Sequence, residues 1–201
     1  MSDLFQRVAQ RLTDAHAEQP PMRLSDPRLK GSDLELKPAS VLIALTERDN
    51  PGILMLHRPS TMRAHPGQIA LPGGRRELGE NATEAALREA EEELGIPSDL
   101  VRVVGATDVY RTGSGYEITP VIGVIPPDIE IRPNAAEVSQ WFEAPADFVL
   151  DPANQRTRLL ERNGQQYPVI EIDWQGHVIW GVTGAILSNL ARRLNWHDET
   201  A

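Results

Sequence analysis

One stretch limits what this chain can fold into more than any other: Leu71-Pro-Gly-Gly-Arg-Arg-Glu-Leu-Gly-Glu-Asn-Ala-Thr-Glu-Ala-Ala-Leu-Arg-Glu-Ala-Glu-Glu-Glu-Leu-Gly-Ile96. It reads as a strand end, a glycine turn and a helix. Asn81 is a favoured N-cap, and Glu84 three residues later completes a capping-box start. Gly95 supplies a left-handed C-cap. At about 100° per residue, Glu89, Glu92 and Glu93 share one face. Leu87, Ala90 and Leu94 make a second, apolar face. Glu84 and Glu91 point to solvent, with Glu84 and Arg88 spaced for an i,i+4 pair. Three like charges on one helical face repel. A hard dication removes that cost, because Mg²⁺ prefers carboxylate oxygens and retains waters that substrate phosphates can replace. A lone acidic run is more often a solvated face, so its neighbours decide.

Composition narrows the class. At 201 residues the chain is one domain, or one with short appendages. Its 40% hydrophobic content suffices for a sizeable core. A net charge of −9 speaks against a nucleic-acid binder, which would carry a basic face. The chain has no cysteine, so disulfides, zinc-thiolate sites and a cysteine nucleophile are excluded. No apolar run approaches a membrane span. Asp3 and the polar spacing around it do not fit a secretory signal, so a cytoplasmic setting is expected. A homodimer is kept open.

In order along the chain, residues 2–17 are expected to form a short amphipathic helix through Leu4, Phe5, Val8 and Leu12. An extended connector follows to Leu36. Pro38 to Thr46 reads as a buried strand, paired through the Asn50-Pro51-Gly52 turn with a strand ending at His57. After the glutamate helix, strands are expected over 100–110, 116–124 and 128–132. A short helix follows over 144–150, then a hairpin around Asn163-Gly164. The strand His177 to Trp180 leads to a last helix with an apolar stripe of Ile186, Leu187, Leu190 and Leu194. His57 reads as a strand-end packing residue, and His177 and His197 as surface residues.

Two motifs carry the chemistry. Gly74, Glu80, Arg88, Glu89, Glu92, Glu93 and Gly95 fit the spacing G-x5-E-x7-R-E-U-x-E-E-x-G-U, with U aliphatic and Ala90 at one U position. At ordinary residue usage, seven fixed positions coincide by chance on the order of 10⁻⁸ per starting point. This stretch resembles the Nudix box. Directly before it stands Arg58-Pro-Ser-Thr-Met-Arg63-Ala-His65-Pro-Gly67-Gln68-Ile-Ala-Leu-Pro72-Gly73-Gly74. Loop arginines beside a metal site suit phosphate, since a guanidinium pairs with two phosphate oxygens. The pattern R-x4-R-x-H-x-G-Q-I-x-L-P-G-G is similar to the coenzyme A pyrophosphatase signature of that superfamily. Pro59 and Leu71 depart from it.

The resemblance implies an α/β Nudix fold: an α/β/α sandwich on a mixed sheet over residues 37–194. Residues 1–36 are then an added helix and connector, and 195–201 a tail. It implies Mg²⁺ or Mn²⁺ held by Glu89, Glu92 and Glu93, with Arg88 orienting them and Glu80 either pairing to Arg88 or reaching a metal through water. Glu137, in a segment resembling E-V-x-x-x-W/F, is implied as a base or further ligand. Arg58, Arg63, His65, Gln68, Gly73, Gly74 and Ser114, with Gly115 and Tyr116 beside it, are the implied substrate contacts. Trp180-Gly181-x-Thr183 also resembles the end of coenzyme A-type domains. The expected reaction is hydrolysis of the diphosphate of a small molecule, coenzyme A or its thioesters. The alternatives are another nucleoside diphosphate (NADH, ADP-ribose, an oxidised dNTP) or a non-catalytic nucleotide sensor.

Overall fold

The computed structural model describes residues 3–29, 35–61, 66–162 and 164–197. Two expected substrate contacts, Arg63 and His65, lie outside the described residues, as does Asn163.

Helix α1 (Leu4–Glu18) is capped by Asp3, whose carboxylate accepts from Phe5 N at 2.8 Å; Leu4, Val8 and Leu12 face inward. The connector then contributes a strand of its own, β1 (Arg23–Ser25). Strands β2 (Lys37–Thr46) and β3 (Gly52–His57) form the expected antiparallel pair, with Leu45 opposite Ile53. β4 (Ile69–Ala70) and β5 (Gly73–Arg75) lead into α2 (Ala82–Leu94). That helix begins and ends as its sequence dictates. Asn81 and Glu84 close a full capping box, and Gly95 takes a left-handed conformation at φ 66°.

Beyond α2 the expected strand over 100–110 divides into β6 (Arg102–Ala106) and β7 (Val109–Arg111). The break falls at Thr107-Asp108, where the Asp108 carboxylate accepts from Met22 N, Asn189 and Arg193 instead of continuing along a ladder. β8 (Tyr116–Ile125) follows. No strand forms over 128–132, contrary to expectation. The backbone there serves the end of α2 instead: Arg132 N donates to Leu94 O at 2.8 Å and Asn134 N to Glu93 O at 2.9 Å, satisfying carbonyls that a helix end leaves open. β9 (Gln140–Pro145) and α3 (Ala146–Val149) come next. Strands β10 (Arg156–Arg162), β11 (Gln165–Trp174) and β12 (His177–Trp180) make a second, three-stranded sheet, and α4 (Gly181–Arg193) closes the fold.

The main sheet runs β1-β7-β8-β2-β3-β4, with β5 on β2, β6 on β8 and β9 on β3. It is mixed: β2 and β8 are parallel from Lys37 opposite Tyr116 to Thr46 opposite Ile125, while the β3 pairs are antiparallel. Alternation along the central strands sorts side chains onto two faces. Leu42, Ala44, Leu54 and Leu56 pack beneath Ala86, Ala90 and Leu94 of α2. Ile43, Leu45, Ile53 and Met55 meet α1, α4, and Ile172 and Ile179 of the second sheet. A strand buried on both faces reads as a continuous apolar run, which is what 41–45 shows. Full burial of each such side chain stabilises the fold by about 1.5–3 kcal/mol.

One buried polar knot ties the chain's two ends to the sheet. Asp108 accepts from Arg193 Nε at 3.0 Å and Asn189 Nδ2 at 2.6 Å, while Arg193 Nη1 donates to Gln19 O at 2.6 Å. The side chains of Arg193 and Asp108 are only 5% and 1% exposed. Burial pushes the Asp108 pKa up, but hydrogen bonds from Arg193, Met22 N and Asn189 outweigh it and leave the pKa below its ordinary value. Arg193→Met strands that carboxylate, and a loss of about 3 kcal/mol is expected in urea unfolding at neutral pH. Because the folded-state pKa is depressed, Asp108 stabilises fully above its unfolded value and less as pH falls through its folded one. The stability gap between wild type and Asp108→Asn should therefore narrow below about pH 4.

Candidate active site

The glutamate face of α2 is organised by Arg88, which uses every donor it has. Its Nε donates to Glu80 Oε1 at 2.6 Å, and Nη2 to Glu80 Oε2 at 3.1 Å and Arg75 O at 3.0 Å. Nη1 donates to Glu89 Oε1 at 3.0 Å and Glu92 Oε2 at 2.9 Å. This fork replaces the expected Glu84–Arg88 pair. Glu84 is committed to the cap, accepting from Asn81 N at 2.8 Å. The hydrogen bond from Arg88, then that from Glu77 N, holds the Glu80 pKa below its ordinary value; Glu80, before Glu89, raises that of Arg88.

Glu93 turns the other way, into the protein. It is 3% exposed and accepts from Gly73 N at 2.8 Å. Burial is the main cause that pushes its pKa up to about 8, helped by Glu89 and Glu137 and opposed by Gly73 N–H and Arg58. Burial likewise raises the pKa of Glu89, against the pull of Arg88. The two glycines before the helix make this approach possible. At Gly73, whose φ is 159°, a Cβ would lie 2.4 Å from Ser40 O. At Gly74 it would lie 2.4 Å from Glu89 Oε1.

These carboxylates border a cleft of about 520 Å³. Ala39 to Val41 of β2 form its floor, and Glu89, Glu93, Gly73 and Gly74 one wall. Arg58, Gln68 and Glu137 enter from the β3–β4 side and the turn before β9, and Ser114 and Tyr116 from the loop before β8. Arg58 and Gln68 are held level by a backbone bond, Arg58 N to Gln68 O at 3.0 Å. Arg58 Nε is buried with no hydrogen-bond partner among the described residues. Glu80, Arg88 and Glu92 do not line the cleft; they stand behind Glu89, with the Glu92 side chain 53% exposed.

Several lining residues were not expected from the sequence. Thr112 anchors the loop before β8, accepting from Tyr116 N at 3.0 Å and sharing a bond with Ser114 Oγ at 3.0 Å. Arg75 adds a second cation beside Gly74, and Ile118, Val182 and Ile186 join Ile69 and Trp180 as apolar lining. Ile186 belongs to the stripe that reads as core, and periodicity does not tell a core position from a cleft wall. His177 also departs from expectation. It is half-buried, with Nδ1 2.8 Å from His57 Nε2. His197 is exposed, as expected.

The donor set suits a hard dication. It offers carboxylate oxygens only, and the deepest of them carries a charge that burial disfavours. Among the described residues no three acidic or histidine side chains converge into a ready cage. Arg88 holds Glu89 and Glu92 on one side, and Gly73 N–H holds Glu93 on the other.

An acidic helix face with Glu93 buried and Glu89 at the mouth of a cleft lined by arginine fits a hydrolase of phosphoanhydrides. The NUDIX domain model matches residues 36–163, and the chain belongs to the Nudix family of hydrolases, which act on diphosphate-containing small molecules with the help of divalent metal ions. It is 35% identical over 173 residues to the protein named "Uncharacterized Nudix hydrolase NudL" of Enterobacter sp. (strain 638), covering 86% of this chain and 90% of that one. The NudL proteins of Photorhabdus laumondii and Escherichia coli K12 are each 36% identical, over 87% and 86% of this chain and 90% of theirs. The crystal structure of a Nudix hydrolase from M. smegmatis, RenU, overlaps 58% of this chain and 81% of its own at a TM-score of 0.49 and 22% identity.

The two glycines should answer substitution differently. Gly73→Ala drives a Cβ into backbone and is expected to cost about 3 kcal/mol or more in thermal or urea unfolding. Gly74→Ala meets only the end of the Glu89 side chain. It should leave stability within about 1 kcal/mol of wild type while lowering hydrolytic turnover, because Glu89 must leave its place.

Proposed function

We propose that this chain hydrolyses the diphosphate of coenzyme A or its thioesters, releasing 3′,5′-ADP and 4′-phosphopantetheine or its acyl form. The observation that carries the reading is one cleft with two kinds of lining. Carboxylates and Arg58 share it with an apolar set of Ile69, Trp180, Val182 and Ile186. A substrate with a diphosphate in its middle and a long, weakly polar arm uses both. The motif running from Arg58 to Gly74 supports the same choice.

In this reading Glu89, Glu92 and Glu93 hold Mg²⁺ or Mn²⁺. Bound there, such a dication neutralises non-bridging phosphate oxygens and lowers the pKa of a bound water. The protein's own groups do the rest. Arg88 keeps Glu89 and Glu92 in register, and Glu80 in turn fixes Arg88. The Arg58 guanidinium donates to a phosphate oxygen, with Gln68 beside it; Arg63 and His65 belong to the same contact set by their place in the motif. Gly73 and Gly74 let the backbone approach the diphosphate, and Ser114 borders it. Glu137 accepts a proton from the attacking water. A cytoplasmic setting belongs to the same proposal; no helix among the described residues is long and apolar enough to cross a membrane.

The test is a substrate panel with Mg²⁺ or Mn²⁺: coenzyme A, acetyl-coenzyme A, NADH, ADP-ribose and an oxidised dNTP, products resolved by chromatography. Faster turnover of either coenzyme A compound than of the others is expected; preference for any other member overturns the assignment. Glu93→Gln should lower turnover by about two to three orders of magnitude. It should also raise the melting temperature of the metal-free protein, since it removes a charge whose burial opposes folding. A Glu93→Gln or Glu92→Gln enzyme as fast as wild type removes the metal assignment.

A further inference from the structure

His57 and His177 meet where the two sheets adjoin. His57 Nε2 lies 2.8 Å from His177 Nδ1. The His177 ring stacks on Phe142 with centroids 3.9 Å apart and on Trp174 at 5.7 Å, and His57 tilts against Phe142 at 5.5 Å. A contact of this length between ring nitrogens requires one to donate and the other to accept. One added proton leaves the pattern intact, because a cationic ring still donates to a neutral one. A second proton removes the acceptor and sets two like charges side by side. The elements packed on the pair bring apolar or neutral side chains: Phe142 and the cross-strand Gln140 from β9, Ile69 from β4, Trp174 from β11. Burial first, then the neighbouring His177, pushes the His57 pKa down.

Neither imidazole lines the cleft itself; each sits on a strand near a residue that does. Arg58 follows His57, and Trp180 lies three residues past His177 on β12. β12 shares no ladder with the main sheet. Its wall is tied across by Thr183 Oγ1, which donates to Ile69 O at 2.9 Å, and by the imidazole pair. Trp180 is held to its own sheet: it stands opposite Glu171 in the β11–β12 ladder, and the Arg158 guanidinium, paired with Glu171 at 2.8 Å, lies 5.3 Å from its ring.

We infer that His57 and His177 are positioning residues for the cleft: their mutual hydrogen bond sets the spacing between the Arg58 and Trp180 walls, and double protonation releases it. The inference rests on the cleft being the active site, not on coenzyme A being the substrate.

Two variants of the full chain test it. His177→Phe keeps the stacking on Phe142 and Trp174 but removes the nitrogen. The double variant His57→Gln with His177→Asn places amide groups where the two ring nitrogens stood, giving a hydrogen bond that does not titrate. The first readout is the Trp180 indole N–H signal by NMR from pH 7 to 5, which needs no substrate. The second is KM and kcat for coenzyme A with Mg²⁺ over the same range. In wild type the Trp180 signal should shift on acidification and KM rise roughly two- to tenfold, the effect of one net hydrogen bond. In His177→Phe both should stand at their acid values already at pH 7. In the double variant both should be flat, while kcat keeps its wild-type pH dependence. A wild-type Trp180 signal in His177→Phe at pH 7, or an acid shift that survives in the double variant, overturns the inference. If coenzyme A is not turned over, the proposed substrate fails and the Trp180 arm still decides this question.

Discussion

The site depends on one guanidinium. Arg88 joins three carboxylates and a backbone carbonyl, and in doing so fixes the turn around Glu80, the end of β5 and two successive turns of α2 relative to one another. Its planar fork makes this possible; an ammonium, with a single nitrogen, could not reach partners on opposite sides at once. The arrangement also answers the repulsion that the sequence sets up. Of the acidic residues facing the site end of α2, Glu89 and Glu92 share one cation. Glu93, which Arg88 does not touch, is the one whose charge burial disfavours most; that of Glu89 is disfavoured too, against the pull of Arg88. Electrostatic tension is thus concentrated on the most buried carboxylate, where a bound dication would relieve it most.

Much of the fold was legible because local rules and tertiary packing agree. Helix α2 carries a complete capping box and a glycine C-cap, so its ends are set by neighbours in sequence. β2 is apolar on both faces and needed no alternation to be read as central. The failures share a cause. The run 128–132 has strand-like residues, but Arg132 N is claimed by the Leu94 carbonyl and Ile129 N by Pro126 O, so they serve a helix end and a turn and not a ladder. The strand after α2 is interrupted at Asp108, whose partners Asn189 and Arg193 lie far along the chain. β1 was hidden in a proline-containing connector because its pairing with β7 is parallel and long-range. Contacts of that kind leave no periodic trace.

The candidate site was legible in its charged residues and less so in its apolar ones. Box spacing located Glu89 and Glu93, and the preceding loop located Arg58 and Gln68; all four line one cleft. Glu92 was expected on the same face, and it is, but it stands at the outer flank with Arg88. Helical angle alone does not say how far a side chain reaches inward. Ile118, Val182 and Ile186 carry no chemistry that singles them out; the pairing of β8 with β2 brings the first to the cleft, and the packing of α4 by β4 the other two. The His57–His177 contact joins positions on strands of different sheets, so neither histidine had a partner within its own stretch of sequence.

The clasp between Arg58 and Gln68 has an evolutionary consequence. Their backbone bond continues the ladder in which Leu56 faces Ala70 and His57 faces Ile69, so both residues are fixed by the strands beneath them. A second backbone bond, Gly67 N to Arg58 O at 3.1 Å, closes the same place. Changes of length or sequence between Arg58 and Gly67 can therefore be accepted without disturbing the strands that place Arg58 and Gln68, a cassette that can diverge while the scaffold stays.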